Sequence, residues 1–266
     1  MSGIQSGFRF NGKHCMHDYG LLFVEDSGGR AVTHARKINE YQIAGASGTI
    51  RFPGEAFETA TLSGSLFPLE SPADEAAAQA LMRQVDAWLY GPRGKLIFDY
   101  EPDKYRLAEV TGESKWSYRD WMDGGLEIEF IIQPFAYALF PTSVGGTVTG
   151  SAEYDFTVPG TEDAPLEARI TNLGESALTR VQIALGGKSW LFEGLDIAQG
   201  GTLSISCEPP IGATVTQGSV TESAMPCAAR FDLLAGRGAL TAAVSLGFEG
   251  GSGSAAVRLS ARGRWK

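Results

Sequence analysis

Hydrophobic and polar positions alternate with a period of two along much of this chain, most regularly between Lys95 and Ala138. Leu96, Phe98 and Tyr100 alternate with Ile97 and Asp99, and Tyr105, Leu107 and Glu109 alternate with Arg106, Ala108 and Val110. Leu126, Ile128, Phe130 and Ile132 then alternate with Glu127, Glu129 and Ile131. This period sends one set of side chains to a buried face and the other to solvent, the signature of half-buried strands. Pro102-Asp103 predicts the turn between the first two strands, and Asp123-Gly124-Gly125 leads into the third. Pro134 is expected to end that strand, because proline cannot donate to a ladder. The stretch reads as a small antiparallel sheet.

Upstream, Phe8 and Phe10 run into Asn11-Gly12, a hairpin-turn pair, and Leu21 to Val24 forms a second short strand. Thr49 to Phe52 and Glu58 to Phe67 follow as strands, with Gly64 marking a bulge or a close neighbour. A helix is predicted from about Pro72 to Tyr90. Ser71 caps it, Pro72 occupies a first-turn position, and Asp74 and Glu75 lie near the positive dipole end. Leu81, Val85, Trp88 and Leu89 share its apolar face, and Gly91-Pro92 ends it.

Beyond Phe140 the helical period disappears. Strand patterns recur at Leu166–Ile170, Val181–Leu185, Leu203–Ile205, Val244–Phe248 and Val257–Leu259, separated by glycine-rich or Asn-containing turns. The pattern predicts an antiparallel β-sandwich. The predicted fold class is therefore mainly β: an α+β first domain with one helix on antiparallel sheets, then a sandwich. The expected boundaries are 1–140, a short linker at 141–146 and a second domain at 147–266.

Composition narrows the function classes. At 266 residues the chain is long enough for two domains, and 43% hydrophobic with 20% charged residues suits a real core. A net charge of −9 argues against specific nucleic-acid binding, which needs clustered Lys and Arg on phosphates. The beginning of the chain has no signal-like apolar segment, and the apolar run near Phe130–Phe140 is too short to span a bilayer. A soluble, unprocessed protein with no membrane partner is expected.

Candidate chemistry is thin. Cys15, Cys207 and Cys227 are odd in number and lack metal spacing, so a disulfide framework is not expected, although Cys207 and Cys227 could pair. His14-Cys15-Met16-His17 lacks the second cluster that a structural zinc requires and reads as solvated turn residues. Gly187-Lys188-Ser189 imitates the end of a phosphate loop, but Gln182 stands where that loop needs glycine. Asp99, Glu101 and Asp103 imitate the start of a calcium loop, but Lys104 and Val110 occupy the glycine and glutamate positions. Those acids read as solvated hairpin residues. Asp120 and Asp123 form a chance acidic pair, and no GxSxG, HExxH or kinase-type set occurs. No catalytic, cofactor-binding or metal residue is assigned, no cofactor is expected, and the chain is read as a non-enzyme.

Residues 30–138 resemble the N-terminal domain of siphophage distal tail proteins. The resemblance rests on Arg36-Lys37-Ile38 leading to the glycine-punctuated loop Ile43–Gly48, the Leu62–Phe67 strand and the capped helix ending in Trp88-Leu89. It continues through the 96–100 and 105–110 strands and the run from Leu126 to Pro134-Phe135-Ala136-Tyr137. The second half is similar in Ala164-Pro165-Leu166, Leu191-Phe192-Glu193-Gly194, Gly201–Ile205 and Arg262-Gly263-Arg264-Trp265. Ala44 and Ala46-Ser47 depart from the proline and Arg-Asp pair of many relatives, and the Cys207–Cys227 region does not align. The resemblance implies a structural virion protein of a phage or prophage, present at the tip of a long non-contractile tail and in the host cytoplasm during assembly. It further implies a homohexameric ring, single or stacked, joining the tail tube protein to a hub, fibre or tail-associated lysin protein of the host-adsorption apparatus. The second domain would be galectin-like or carbohydrate-module-like. In such a ring the acids could line the channel and keep DNA from adsorbing, or equally could serve only to keep the outer surface soluble.

Two other readings compete. A carbohydrate-binding module could stack a host-surface sugar on Trp190 or Trp265, although core packing is the commoner use of a lone Trp. Another phage tube or connector ring protein would share the helix and sheet but lack the second domain.

Overall fold

The structure, a computed structural model, describes residues 5–25, 39–42, 49–52, 57–111, 115–120 and 123–266. The chain is mainly β and divides into two compact units, Met1–Leu139 with Lys266, and Phe140–Trp265. Among the described residues no helix is long and apolar enough to cross a membrane. The Arg36–Ile38 strand and the Ile43–Gly48 loop of the resemblance lie outside the described residues.

The first unit contains β1 (Gln5–Ser6), β2 (Phe8–Phe10), β3 (Lys13–His14), α1 (Cys15–Tyr19), β4 (Leu21–Glu25), β5 (Asn39–Gln42) and β6 (Thr49–Phe52). It continues with β7 (Ala60–Pro68), α2 (Glu75–Leu89), β8 (Gly94–Phe98), β9 (Lys104–Val110), β10 (Lys115–Asp120) and β11 (Asp123–Ala138). The main sheet runs β1-β4-β7-β11-β9-β8-β2-β3, with β10 also on β11. Among the described residues β5 and β6 pair with each other as a two-stranded sheet.

The sheet is organised around β11. Leu126, Ile128, Phe130 and Ile132 face the core as the alternation predicts, and β7 lies along them in unbroken register from Leu126↔Leu66 to Ile132↔Ala60. Pro134 does not end the strand. β11 continues to Ala138, and its pairing with β9 shifts between Ile132 and Ala136, so Pro134 occupies the irregularity where no ladder bond is needed. β9 also departs from simple alternation: Ala108 and Val110 join the core, whereas Tyr105 stacks on Tyr137 at 5.5 Å between centroids, with the Lys95 ammonium 4.7 Å from its ring centroid. Gly64 is a close approach, since a Cβ there would meet the Phe23 ring and the Val24 carbonyl.

Helix α2 begins later than predicted. Asp74, not Ser71, is the N-cap; its Oδ1 accepts the Ala77 N–H at 2.7 Å, and a carboxylate also suits the positive helix end. Val85, Trp88 and Leu89 are buried with Ala78, while Leu81 is only half-buried against the same cluster. The aromatic centre is tight: Phe8 packs edge-on to Phe23 and Phe130 and stacks on Trp88 at 5.6 Å. The Trp88 indole N–H donates to the Phe10 carbonyl at 2.8 Å, so its one polar atom is satisfied in the core.

The second unit contains β12 (Thr142–Val148), β13 (Ser151–Val158), β14 (Ala164–Asn172), β15 (Leu178–Leu185), β16 (Lys188–Ile197) and β17 (Thr202–Ser206). After these come β18 (Gly212–Gln217), β19 (Val220–Ser223), β20 (Ala228–Phe231), β21 (Ala235–Gly236), β22 (Gly238–Phe248) and β23 (Ala255–Ala261). One sheet runs β12-β23-β14-β17-β18-β19, with β21 on β14; the other runs β13-β22-β15-β16-β20. Ile170, Leu203 and Leu259 from the first sheet and Ile183, Trp190 and Val244 from the second close one shared apolar core, so the sandwich expectation holds. The stretch expected as a linker, 141–146, instead lies mostly in β12, which pairs with β23 from Thr142↔Ala261 to Val148↔Ala255. Its glycines lack alternation, yet an edge strand needs only one partner. Gly145 must also be small, because a Cβ would strike the Val257 carbonyl.

Candidate functional site

The His14–His17 cluster is structural. β3 delivers His14 to the start of α1, where its Nδ1 accepts the backbone N–H groups of Met16 at 3.0 Å and His17 at 3.3 Å. Asp18 reaches back to accept the His14 backbone N–H at 2.6 Å, making a reciprocal cap. With Nδ1 accepting, the proton resides on Nε2, which donates to Asp99 Oδ1 at 3.0 Å. The solvated-turn reading is therefore corrected for half of the cluster: His14 and Cys15 are buried, Met16 is half-buried and His17 is exposed. Burial pushes the Cys15 thiol up. Among the described residues no group of three or more His, Cys, Asp or Glu is placed to hold a metal.

The acids after β8 are likewise engaged. Asp99 anchors His14, and Glu101 receives Lys104 and Arg106, each at 3.2 Å, across the turn into β9. Only Asp103, with Lys104 at 3.6 Å, is largely solvated as expected. Asp120 and Asp123 face each other in backbone register at the tip of the β10–β11 hairpin.

In the second unit, Gly186 and Gly187 both take positive φ (57° and 80°) and make a two-residue hairpin, with Leu185 paired to Lys188. The Gly187-Lys188-Ser189 sequence thus runs from a β-turn into β16, and the Lys188 ammonium donates to the Leu233 carbonyl at 3.3 Å. Ser189 N–H donates to Asp232 Oδ2 at 2.9 Å; this bond, more than the neighbouring Arg230, holds the Asp232 carboxyl below its usual value. Trp190 has no exposed surface, stacks on Phe231 and donates its indole N–H to the Asp232 carbonyl at 2.8 Å. It offers no face to a sugar. Trp265 is half-buried. Cys207 accepts the Leu234 N–H at 3.3 Å, Cys227 donates to the Gly194 carbonyl at 3.7 Å, and neither is in a disulfide.

A concave surface appears elsewhere. The outward positions of the β12-β23-β14-β17-β18-β19 sheet are mostly hydroxyl-bearing, with two arginines and a glutamate among them. One row crosses five strands in register as Arg258, Arg169, Ser204, Thr214 and Ser223. The adjacent row reads Ser143, Ser260, Glu167 and Ser206. Pro210, Ile211 and Met225 rise at one side, and the groove so formed encloses about 610 Å³, within the usual range of ligand clefts. Ile211 and Met225 are exposed, at 52% and 38%. Sequence motifs do not reveal this groove, because its residues come from five separate strands. The legible sign is the recurrence of Ser, Thr and Arg at alternate strand positions 169, 204, 206, 214, 258 and 260, with Glu at 167.

No family model matches the chain, and no curated protein matches it by sequence. Among solved structures it is similar to the SPP1 Dit protein (gp 19.1), described as a paradigm of the hub adsorption apparatus in phages that infect Gram-positive hosts. That likeness has a TM-score of 0.68 at 14% identity and covers 98% of this chain and 99% of the Dit chain. At that identity the likeness is one of fold, and it extends through both units.

Proposed function

We propose that this chain is a structural component of the tip of a long non-contractile phage or prophage tail. In this reading it assembles as a hexameric ring and joins the tail tube to a hub or fibre protein of the adsorption apparatus. The observation that carries the reading is the near-complete, two-sided coverage of the Dit fold, helix-bearing unit and sandwich together. A tube or connector ring of one domain would leave the second unit unmatched. The β5–β6 pair adds support: among the described residues it joins no larger sheet, and a two-stranded sheet of this size is marginal in water unless it lies against a neighbour. Ring assembly supplies such a neighbour in a symmetric, closed way. The engaged acids and capped histidine of the first unit also fit a scaffold role, since each holds a turn or a helix end rather than an open cleft.

The test is light scattering with negative-stain imaging of the purified chain, alone and mixed with its neighbouring tube and hub proteins. Six-fold rings with a central opening are the expected result. A strict monomer at high concentration, both alone and in the mixture, overturns the ring.

A further inference from the structure

We propose that the outer groove of the second unit is a binding site for an anionic polyol: a hydroxyl-rich chain carrying phosphate or carboxylate groups. Arg169 and Arg258 stand directly opposite each other on β14 and β23. At about 5 Å between Cβ atoms, two like charges in that arrangement destabilise a sheet. Among the described residues no carboxylate forms an ion pair with either of them. The Arg169 side chain makes no hydrogen bond or ion pair, and the Arg258 side chain donates only to Ser143 Oγ at 3.2 Å. Glu167, one row away, forms no ion pair with either arginine. On a chain of net charge −9, this pair is a local exception. Its chemistry suits one bridging oxyanion, which two guanidinium forks hold with paired hydrogen bonds.

The surroundings define the rest of the ligand. Ser204, Thr214 and Ser223 extend the row away from the arginines with hydroxyls that both donate and accept, the complement of a polyol. Ile211 and Met225 at the side supply apolar contact for the C–H faces of such a chain. No aromatic ring lines the groove, so charge and hydroxyl matching, rather than ring stacking, select the ligand. All of these residues belong to the second unit of one chain, so the site is complete without the ring.

The full chain is immobilised and exposed to plain dextran, carboxymethyl-dextran and dextran phosphate of matched length, at about 20 and about 200 mM NaCl. The charged dextrans are expected to bind and plain dextran not to. The stronger of the two identifies the oxyanion. Arg169→Ser/Arg258→Ser is expected to weaken binding by roughly tenfold or more. Its melting temperature should equal or exceed that of the parent chain, because a like-charge contact has been removed. Lys13→Ser/Lys115→Ser, which removes the same charge from the first unit, is expected to bind as the parent does. The site is overturned if neither charged dextran binds at low salt, if plain dextran binds equally, or if the lysine variant loses as much as the arginine variant. It is also overturned if duplex DNA of equal charge competes as well as the dextrans do.

Discussion

Trp190 and His14 are the two side chains whose roles differ most between a local and a folded view. Trp190 looks like a sugar platform in isolation but lies with no exposed surface beside Phe231. Trp190→Ala is expected to cost ~3–5 kcal/mol in urea melts, the usual loss for a buried aromatic; a loss under about 1 kcal/mol would place the ring outside the core. His14 caps α1 and ties it to Asp99. His14→Ala is expected to cost ~1–2 kcal/mol, and His14→Asn to recover part of that, because Asn caps but cannot span to Asp99. Glu208 supplies a pH test. Burial first, and the nearby Glu167 second, raise its carboxyl above the ordinary 4.5. A raised carboxyl favours the folded state at low pH, and that advantage is lost as pH rises from 4.5 through the folded value. Glu208→Gln is therefore expected to be more stable than the parent near neutral pH, with the difference vanishing below 4.5 in melts across pH; a constant difference would point to a packing effect instead.

At the scale of elements, helix α2 and strand β11 show how tertiary context edits a pattern. The helical face at 81, 85, 88 and 89 is real, but its weight lies toward the C-terminal half. Leu89→Ala is expected to cost ~2–5 kcal/mol, and the half-buried Leu81→Ala distinctly less, by denaturant melts of both variants. Equal losses would mean that the helix covers the sheet more evenly than its burial indicates. In β7, Gly64→Ala inserts a methyl against the Phe23 ring and the Val24 carbonyl. It is expected to destabilise by ~1–3 kcal/mol through overpacking, although alanine ordinarily stiffens an unfolded chain. β11 runs through Pro134 because its partner β9 slips there, something that only the neighbouring strand can arrange.

For the whole molecule, the two units contribute different surfaces to the proposed tail-tip role. The first offers the β5–β6 hairpin, and the second offers the hydroxyl groove. Ile50→Pro/Arg51→Pro breaks the hairpin ladder, whichever residue donates. Loss of ring assembly with the monomer's melting temperature unchanged is the expected outcome in light scattering and thermal melts. Rings that persist in this variant would remove the hairpin from the assembly surface.

The sequence by itself determined the strand-rich character of both halves, helix α2 and most inward faces. Those features follow from local period, turn residues and propensity, which act within a few residues. It also carried enough arrangement of strands and turns to suggest the distal-tail-protein likeness, and the fold agrees over nearly the full chain. The tertiary structure alone decided which acids are engaged, why Pro134 is tolerated, that the stretch at 141–146 belongs to a strand and not a linker, and that Trp190 is core. It also brought Arg169 and Arg258 together from strands nearly ninety residues apart, beside Ser204 and Thr214. Register between distant strands sets such neighbours, and register depends on the summed packing of two sheets rather than on any short stretch of chain.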